Sequence, residues 1–317
     1  MIKDRVLIID GLNLFTRHYI AHPGMSENGD QVGGTVGFFN NLTRLIRRCM
    51  PEKVYVIWEG GGSRKKRDLY SDYKKGSKPQ RMNRYYDDIP DTKKNRNNQL
   101  KNLIALLRFV PVIQVYVDDA EADDVIGYLC NYSLKEKNKI IVSSDHDYYQ
   151  LINEKTIIWS PTLKAFVNDK KVIERYNVHP NNFCLAKCIV GDKSDNIPGI
   201  KGVGYKVLTK CLDKFSKSDF YDMESVFLDV LEMKENFSRK FYNDVFESKD
   251  LIKRNWKLVL LDSNNLVYKQ TKIINESIEN YQLTWNNIEA YKFLNKLGIK
   301  TVDLLSSSKI FHQLKKG

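Results

Sequence analysis

Five short runs rich in β-branched or other apolar residues, RVLIID, KVYVIWE, VIQVYV, KIIVSS and TIIWS, recur through the first half of the chain. Longer amphipathic stretches such as GGTVGFFNNLTRLIRRCM and NQLKNLIALLRFV separate them. Short strand-like runs alternating with helical patterns favour βαβ units, hence an α/β fold with a mostly parallel sheet and helices on both faces. In such a sheet, sites lie beyond the carboxyl ends of the strands, near the point where the strand order switches. Three of the runs end at, or just before, an acid: Asp10, Glu59 and Asp145.

Those three belong to a larger set. Asp10, Glu59, Glu121, Asp123, Asp124, Asp145, Asp147, Asp192 and Asp195 are nine carboxylates placed where the chain leaves a strand or enters a helix. Carboxylates converging from several strand ends form an oxygen-only cage suited to hard divalent cations. The chain as a whole carries a net charge of +12, so a polyanion is the expected visitor to that cage. A metal-dependent nuclease is the chemistry these features imply.

The charge is not evenly spread. Residues 64–101 hold thirteen Lys or Arg and five Asp, a local +8, interleaved with Tyr70, Tyr73, Tyr85 and Tyr86. One reading is a solvated connection, and the other is a flexible basic arch that follows a nucleic-acid backbone and stacks bases on its tyrosines. The five cysteines are odd in number and lack paired metal-ligand spacing, so Cys184 and Cys188 are expected as small buried hydrophobes and no disulfide framework is implied. At 317 residues the chain is long enough for two domains. No apolar run of membrane-spanning length and no charged-plus-apolar leader is visible, so a cytoplasmic, monomeric enzyme without membrane contact is the expectation.

Each acidic cluster has a bland reading beside the chemical one. In DAEADDV, Glu121 and Asp124 share a helix face and repel unless a cation or proton intervenes, yet acids in a first helical turn also complement the dipole. In SSDHDYYQL, Asp145 and Asp147 are two apart and suit a metal, while Asp145 alone suits a helix cap; His146 is expected to face away because hard cations prefer oxygen. GDKSDNIPGIKGVGYK is the most specific string: Asp192 and Asp195 precede a Pro-Gly turn, and Gly202-Val203-Gly204 opens a helix whose N–H groups suit a duplex phosphate.

The strings VLIIDGLNLFTR, DAEADDVIG, SSDHDYYQL and GDKSDNIPGIKGVGYK, in this order, resemble the 5′ nuclease or flap endonuclease family over residues 5–215. That family includes the 5′–3′ exonuclease domain of bacterial DNA polymerase I and bacteriophage enzymes, some described as ribonuclease H. The resemblance implies a PIN-like core at 1–178 with a basic helical arch at 64–101. It further implies a helical domain at 179–317 with a helix-hairpin-helix at 186–215. Asp10, Glu121, Asp123, Asp145 and Asp147 match the family's first metal cluster, and Asp124, Asp192 and Asp195 match the acids around the second. Arg17 matches a substrate-contacting arginine, and Lys74 the arch lysine that approaches the scissile phosphate. Gly202, Val203 and Gly204 match the loop that binds a monovalent cation, K+, and duplex phosphate. With them, Arg64, Lys65, Lys66, Arg67, Tyr73, Lys75, Lys78 and Lys206 are expected to contact DNA. Two departures stand out: Glu59 replaces the family's usual Asp, and Ser77 followed by Lys78 replaces the arginine three residues after the arch lysine.

The expected activity is two-metal phosphodiester hydrolysis, with two Mg2+ that Mn2+ can replace, on 5′-flap, nicked or branched DNA and on RNA–DNA hybrids during primer removal. Two competing readings are a branched-DNA-binding protein with little catalysis, motivated by Glu59, and a PIN-type ribonuclease acting on single-stranded RNA. The free-standing length suggests a phage or viral replication protein in the host cytoplasm. The polar, basic stretch from Ser306 is expected as a mobile or partner-docking tail, with a single-strand-binding protein or clamp as partner.

Overall fold

The structure, a computed structural model, describes residues 4–76, 93–236, 239–282 and 284–314. Lys78, Tyr85 and Tyr86 lie outside the described residues. A six-stranded sheet organises the chain in the order β3-β2-β1-β4-β5-β6. Its strands are β1 (Arg5–Asp10), β2 (Lys53–Trp58), β3 (Ile113–Tyr116), β4 (Asn138–Val142), β5 (Thr156–Ser160) and β6 (Ala165–Val167). All neighbours run parallel except β6, which pairs antiparallel with β5. The order reverses between β1 and β4, where Ile9 pairs with Val142, so the switch point lies just past Asp10.

Period-two alternation splits the strands between two cores. Leu7 and Ile9 face a cluster with Val54, Val56, Trp58, Ile140 and Val142. Helices α1 (Gly11–Ala21), α2 (Gly33–Cys49) and α4 (Lys93–Leu106) cover that face. Val6 and Ile8 face the opposite cluster with Tyr55, Ile57, Ile113, Val115, Ile141 and Ile158. There α5 (Ala122–Tyr128), α7 (Pro180–Val190) and α11 (Lys249–Val259) supply Val125, Ile126, Phe183, Ile189, Ile252 and Leu258.

The expected boundary near Val178 does not divide the packing. Val178 and Phe183 belong to the same core as Ile8 and Ile57, because the second half lies directly on one sheet face. The end of the chain returns to the other face: α13 (Asn287–Lys296) and α14 (Leu304–Leu314) bury Ala290, Leu294, Ile310, Phe311 and Leu314 in the cluster of Leu7 and Phe39. The stretch from Ser306 is therefore not a mobile tail through residue 314. WKLVLLD, a run of strand-like composition in the second half, is mostly the end of α11. Cys184 and Cys188 are buried and free, as small hydrophobes would be.

Candidate metal centre

Asp10 ends β1 and caps α1, its Oδ1 accepting from Asn13 N at 3.0 Å. Its Oδ2 accepts from Ser143 Oγ and Tyr148 Oη, each at 3.2 Å, so the switch point joins β1 to the loop after β4. Burial, reinforced by Asp123, pushes the Asp10 carboxyl up to about 8. Asp145 follows on the same loop and is pushed up to about 6 by burial and Asp123. Its Oδ1 accepts from Asp147 N at 2.9 Å, a local turn bond; the N-cap of the short helix that follows is His146, so Asp145 is not the helix cap. His146 turns to Tyr176 Oη at 3.1 Å and stacks on Tyr149, while lining the same cavity as Asp145 and Asp192.

Gly60 brings the loop after β2 against the loop after β3. Its N–H donates to Ala120 O at 3.0 Å, and a Cβ there would lie 1.7 Å from Val117 O. This approach lets Glu59 Oε2 accept from Ala122 N at 3.1 Å at the start of α5. Burial pushes Glu59 up to about 7. The longer side chain thus satisfies an otherwise open helix N–H with one oxygen, which leaves the other for the site.

Behind this edge sits α3 (Arg64–Leu69), capped by Ser63. Its Lys66 is 3% exposed and reaches both Glu121 Oε2 and Asp124 Oδ1 at 2.9 Å. Lys66 is accordingly not a DNA-facing residue: two carboxylates hold it inside. Tyr73 is also corrected, being buried with its hydroxyl donating to Glu121 Oε2 at 2.9 Å rather than offered to bases. Asp124 lies deepest of the acids, its Oδ1 shared with Asn265 Nδ2 at 2.7 Å, and burial raises it. Burial would also raise Glu121, but Lys66 and Lys74 together hold it down to about 2.

Lys74 gathers the separate clusters around one point. Its Nζ lies 2.9 Å from Glu121 Oε1, 3.7 Å from Asp123 Oδ2 and 3.8 Å from Asp195 Oδ2. Its backbone N–H donates to Asp195 O at 2.9 Å, and Asn196 Nδ2 reaches Asp72 O and Lys75 O, so the acidic loop grips the base of the basic segment. Burial raises Asp195 to about 6 even with Lys74 beside it. Asp147, Asp192 and Asp195 bring carboxylate oxygens within 4.8 Å of one another, a donor set of hard oxygens only. The acids are thus linked through shared partners: Glu121, Asp123 and Asp195 at Lys74, Asp147 and Asp192 at Lys187, and Asp10 and Asp123 at Tyr148, while Asp145 and Asp192 line one cavity.

Three participants had escaped sequence reasoning. Lys187 on α7 is buried and pairs with Asp147 and Asp192, keeping Asp192 low against the effect of burial. A lone charge inside NNFCLAKCIV was its signal. Ser143 and Tyr148, which hold Asp10, carried none, since their role arises only from tertiary contact. Arg17 stands at the same edge, its Nη1 donating to Thr162 Oγ1 at 3.0 Å. Arg64, Lys65, Arg67, Lys75 and Lys206 are exposed. Lys65 Nζ is engaged with Asn264 O at 2.5 Å, and Arg67 lies 3.9 Å from Asp119. Gly204 caps α8 (Tyr205–Cys211), Gly202 has φ +82° with open space where a Cβ would stand, and the Val203 side chain is buried beneath them.

Residues 5–177 match the family described as 5′-3′ exonuclease, N-terminal resolvase-like domain. A 5′-3′ exonuclease of Aquifex aeolicus is 30% identical over 256 residues, 80% of each chain. The flap endonuclease Xni of a Shewanella species is 29% identical over 262 residues, 82% of this chain and 91% of its own. Among solved structures, the T5 5′-exonuclease with bound zinc superposes with a TM-score of 0.67 at 19% identity, covering 92% of this chain and 99% of that one. With the sheet order, the acids at its switch point and these likenesses in agreement, the chain belongs to the 5′-3′ exonuclease family of metal-dependent nucleases.

Proposed function

We propose that this nuclease hydrolyses phosphodiesters at 5′ ends of flap, nicked or branched DNA and of RNA–DNA hybrids, using two Mg2+ that Mn2+ can replace. The observation that carries the proposal is the convergence of Glu121, Asp123 and Asp195 on the single ammonium of Lys74. A position that suits one bound cation, walled by oxygen donors, suits a hard divalent cation of the same sign. Asp10, Glu59, Glu121, Asp123 and Asp145 would hold one ion, and Asp147, Asp192 and Asp195 the other. Bound there, such ions supply Lewis acidity toward water and the phosphate ester.

The protein's own groups do the positioning. Lys74 and Arg17 offset charge developing on the phosphoryl oxygens, Lys74 exchanging its carboxylate partners for phosphate. Asn13 Oδ1 accepts from Ser144 N at 3.2 Å and Ser144 Oγ meets Thr162 Oγ1 at 2.8 Å, which fixes the edge on which Arg17 rests. The segment from α7 to α8, with Gly202-Val203-Gly204 at its turn and Lys206 exposed beside it, serves as a helix-hairpin-helix for duplex phosphate and K+. Arg64, Lys65, Arg67 and Lys75 extend the track toward the basic segment. A single-strand-binding protein or clamp remains the class of replication partner proposed.

Incubation with 5′-labelled flap DNA and with an RNA–DNA hybrid, in Mg2+ and in EDTA, tests this reading. Short 5′ products are expected only with Mg2+, and Asp10→Asn or Asp145→Asn is expected to lower the rate at least about 100-fold, the scale of losing an electrostatic group at a reacting centre. Wild-type rates in either variant would remove these ligands from the mechanism. Tight branched-DNA binding without cleavage would establish the non-catalytic alternative.

A further inference from the structure

The expected ligands are held by two kinds of partner. Lys66 joins Glu121 to Asp124, and Lys187 joins Asp147 to Asp192, so each of these pairs already shares a positive charge. Asp10 and Asp123 are joined to each other by a neutral group, although Asp123 also lies 3.7 Å from the Lys74 ammonium. Tyr148 is fully buried, with its hydroxyl 2.5 Å from Asp123 Oδ1 and 3.2 Å from Asp10 Oδ2. The two carboxyls come from different elements, the end of β1 and the first turn of α5, and the tyrosine from the turn after β4. Among the described residues, Tyr148 is the one side chain hydrogen-bonded to both.

A phenol and an ammonium act differently on such a pair. An ammonium orients two carboxylates and cancels charge, so an arriving cation must displace it. One phenolic O–H proton serves one carboxylate at a time and carries no charge, so it orients the pair while leaving whatever repulsion the Lys74 ammonium beside Asp123 does not offset. A divalent ion relieves that repulsion without evicting the hydroxyl, which can keep donating to a carboxylate lone pair on the far side from the metal. We propose that Tyr148 is a positioning residue, its hydroxyl presetting Asp10 and Asp123 as the tighter of the divalent-ion sites. The proposal rests on the ligand reading above and deepens it by ranking the two sites.

Tyr148→Phe keeps the ring and removes the bridge. Mn2+ binding to the substrate-free protein, followed by electron paramagnetic resonance, is expected to show the tighter class weakened about 10–100-fold, the usual effect of losing a group that orients metal ligands. The weaker class is expected to hold. In cleavage assays the Mg2+ concentration for half-maximal rate should rise with it, while the rate at saturating Mg2+ stays near wild type. Tyr149→Phe serves as the control, since that neighbour stacks on His146 and meets Phe183 edge-on, and the variant is expected to bind Mn2+ as wild type does. Adding Asp123→Asn to Tyr148→Phe should cost much less than the sum of the two single changes, because the hydroxyl acts through that carboxylate.

Unchanged Mn2+ affinity in Tyr148→Phe would overturn the positioning role. So would equal weakening of both classes together with a lowered melting temperature in EDTA, which is the mark of a general packing role. If the wild-type protein bound no Mn2+, the ligand reading itself would fail, and that result is distinct from the first two.

Discussion

Lys66 carries its ammonium to 2.9 Å from both Glu121 and Asp124, with none of the three side chains more than 3% exposed. Removing one member of a buried ionic group strands the others without compensation, at a cost of about 3–5 kcal/mol. Lys66→Met is therefore expected to lower unfolding stability by about that amount in urea titrations. Lys65→Ala, one residue away and exposed, should leave stability within about 0.5 kcal/mol. Equal stabilities for the two variants would contradict the buried role. RKKR could not distinguish these neighbours, because charge type is the same along the run and only the turn of α3 decides which side chain points inward. The acids were legible for the opposite reason: a carboxylate directly after a strand is placed by the strand itself.

The second half was legible as helical, but not in where its helices pack. SSSKIFHQLKK looks polar, yet Ile310, Phe311 and Leu314 fall on one helical stripe, and α14 buries all three. Phe311 is fully buried and meets Phe39 edge-on at 5.8 Å. Phe311→Ala is expected to cost about 3–5 kcal/mol, measured by thermal or urea unfolding; a change under about 0.5 kcal/mol would restore the mobile tail. The same periodicity explains α11, where Ile252, Asn255, Leu258 and Val259 are buried at helical spacing within a run whose local composition reads as strand. The five parallel strands were readable, since β-branched runs bounded by acids and turns have few other uses, whereas the three-residue antiparallel β6 was too short to show a pattern. The change of character near Val178 falls where the family match ends, at residue 177, but a chain pattern shows where an element type changes and not which core the next element joins.

Across the whole molecule, the site stores electrostatic strain that only a cation relieves. Asp10 is raised to about 8, Glu59 to about 7, and Asp145 and Asp195 to about 6, each chiefly by burial. In the unfolded chain these groups would titrate near 4. At these four acids the folded state therefore binds more protons than the unfolded one between about pH 4 and pH 8, and linkage makes their contribution to stability fall as pH rises; the histidines lowered by burial, led by His18 at about 4, oppose this only below about pH 6.5. Glu121, held near 2, works in the other direction, but its stabilisation is already complete above pH 5 and adds no slope there. In EDTA the melting temperature is thus expected to drop from pH 6 to pH 8.5. Divalent ions bind the ionised acids of the folded state, so added Mg2+ should raise the melting temperature more at pH 8.5 than at pH 6. A melting temperature in EDTA that rose over this range would mean that the acids are not raised in concert. An Mg2+ effect independent of pH would place the bound ion away from them.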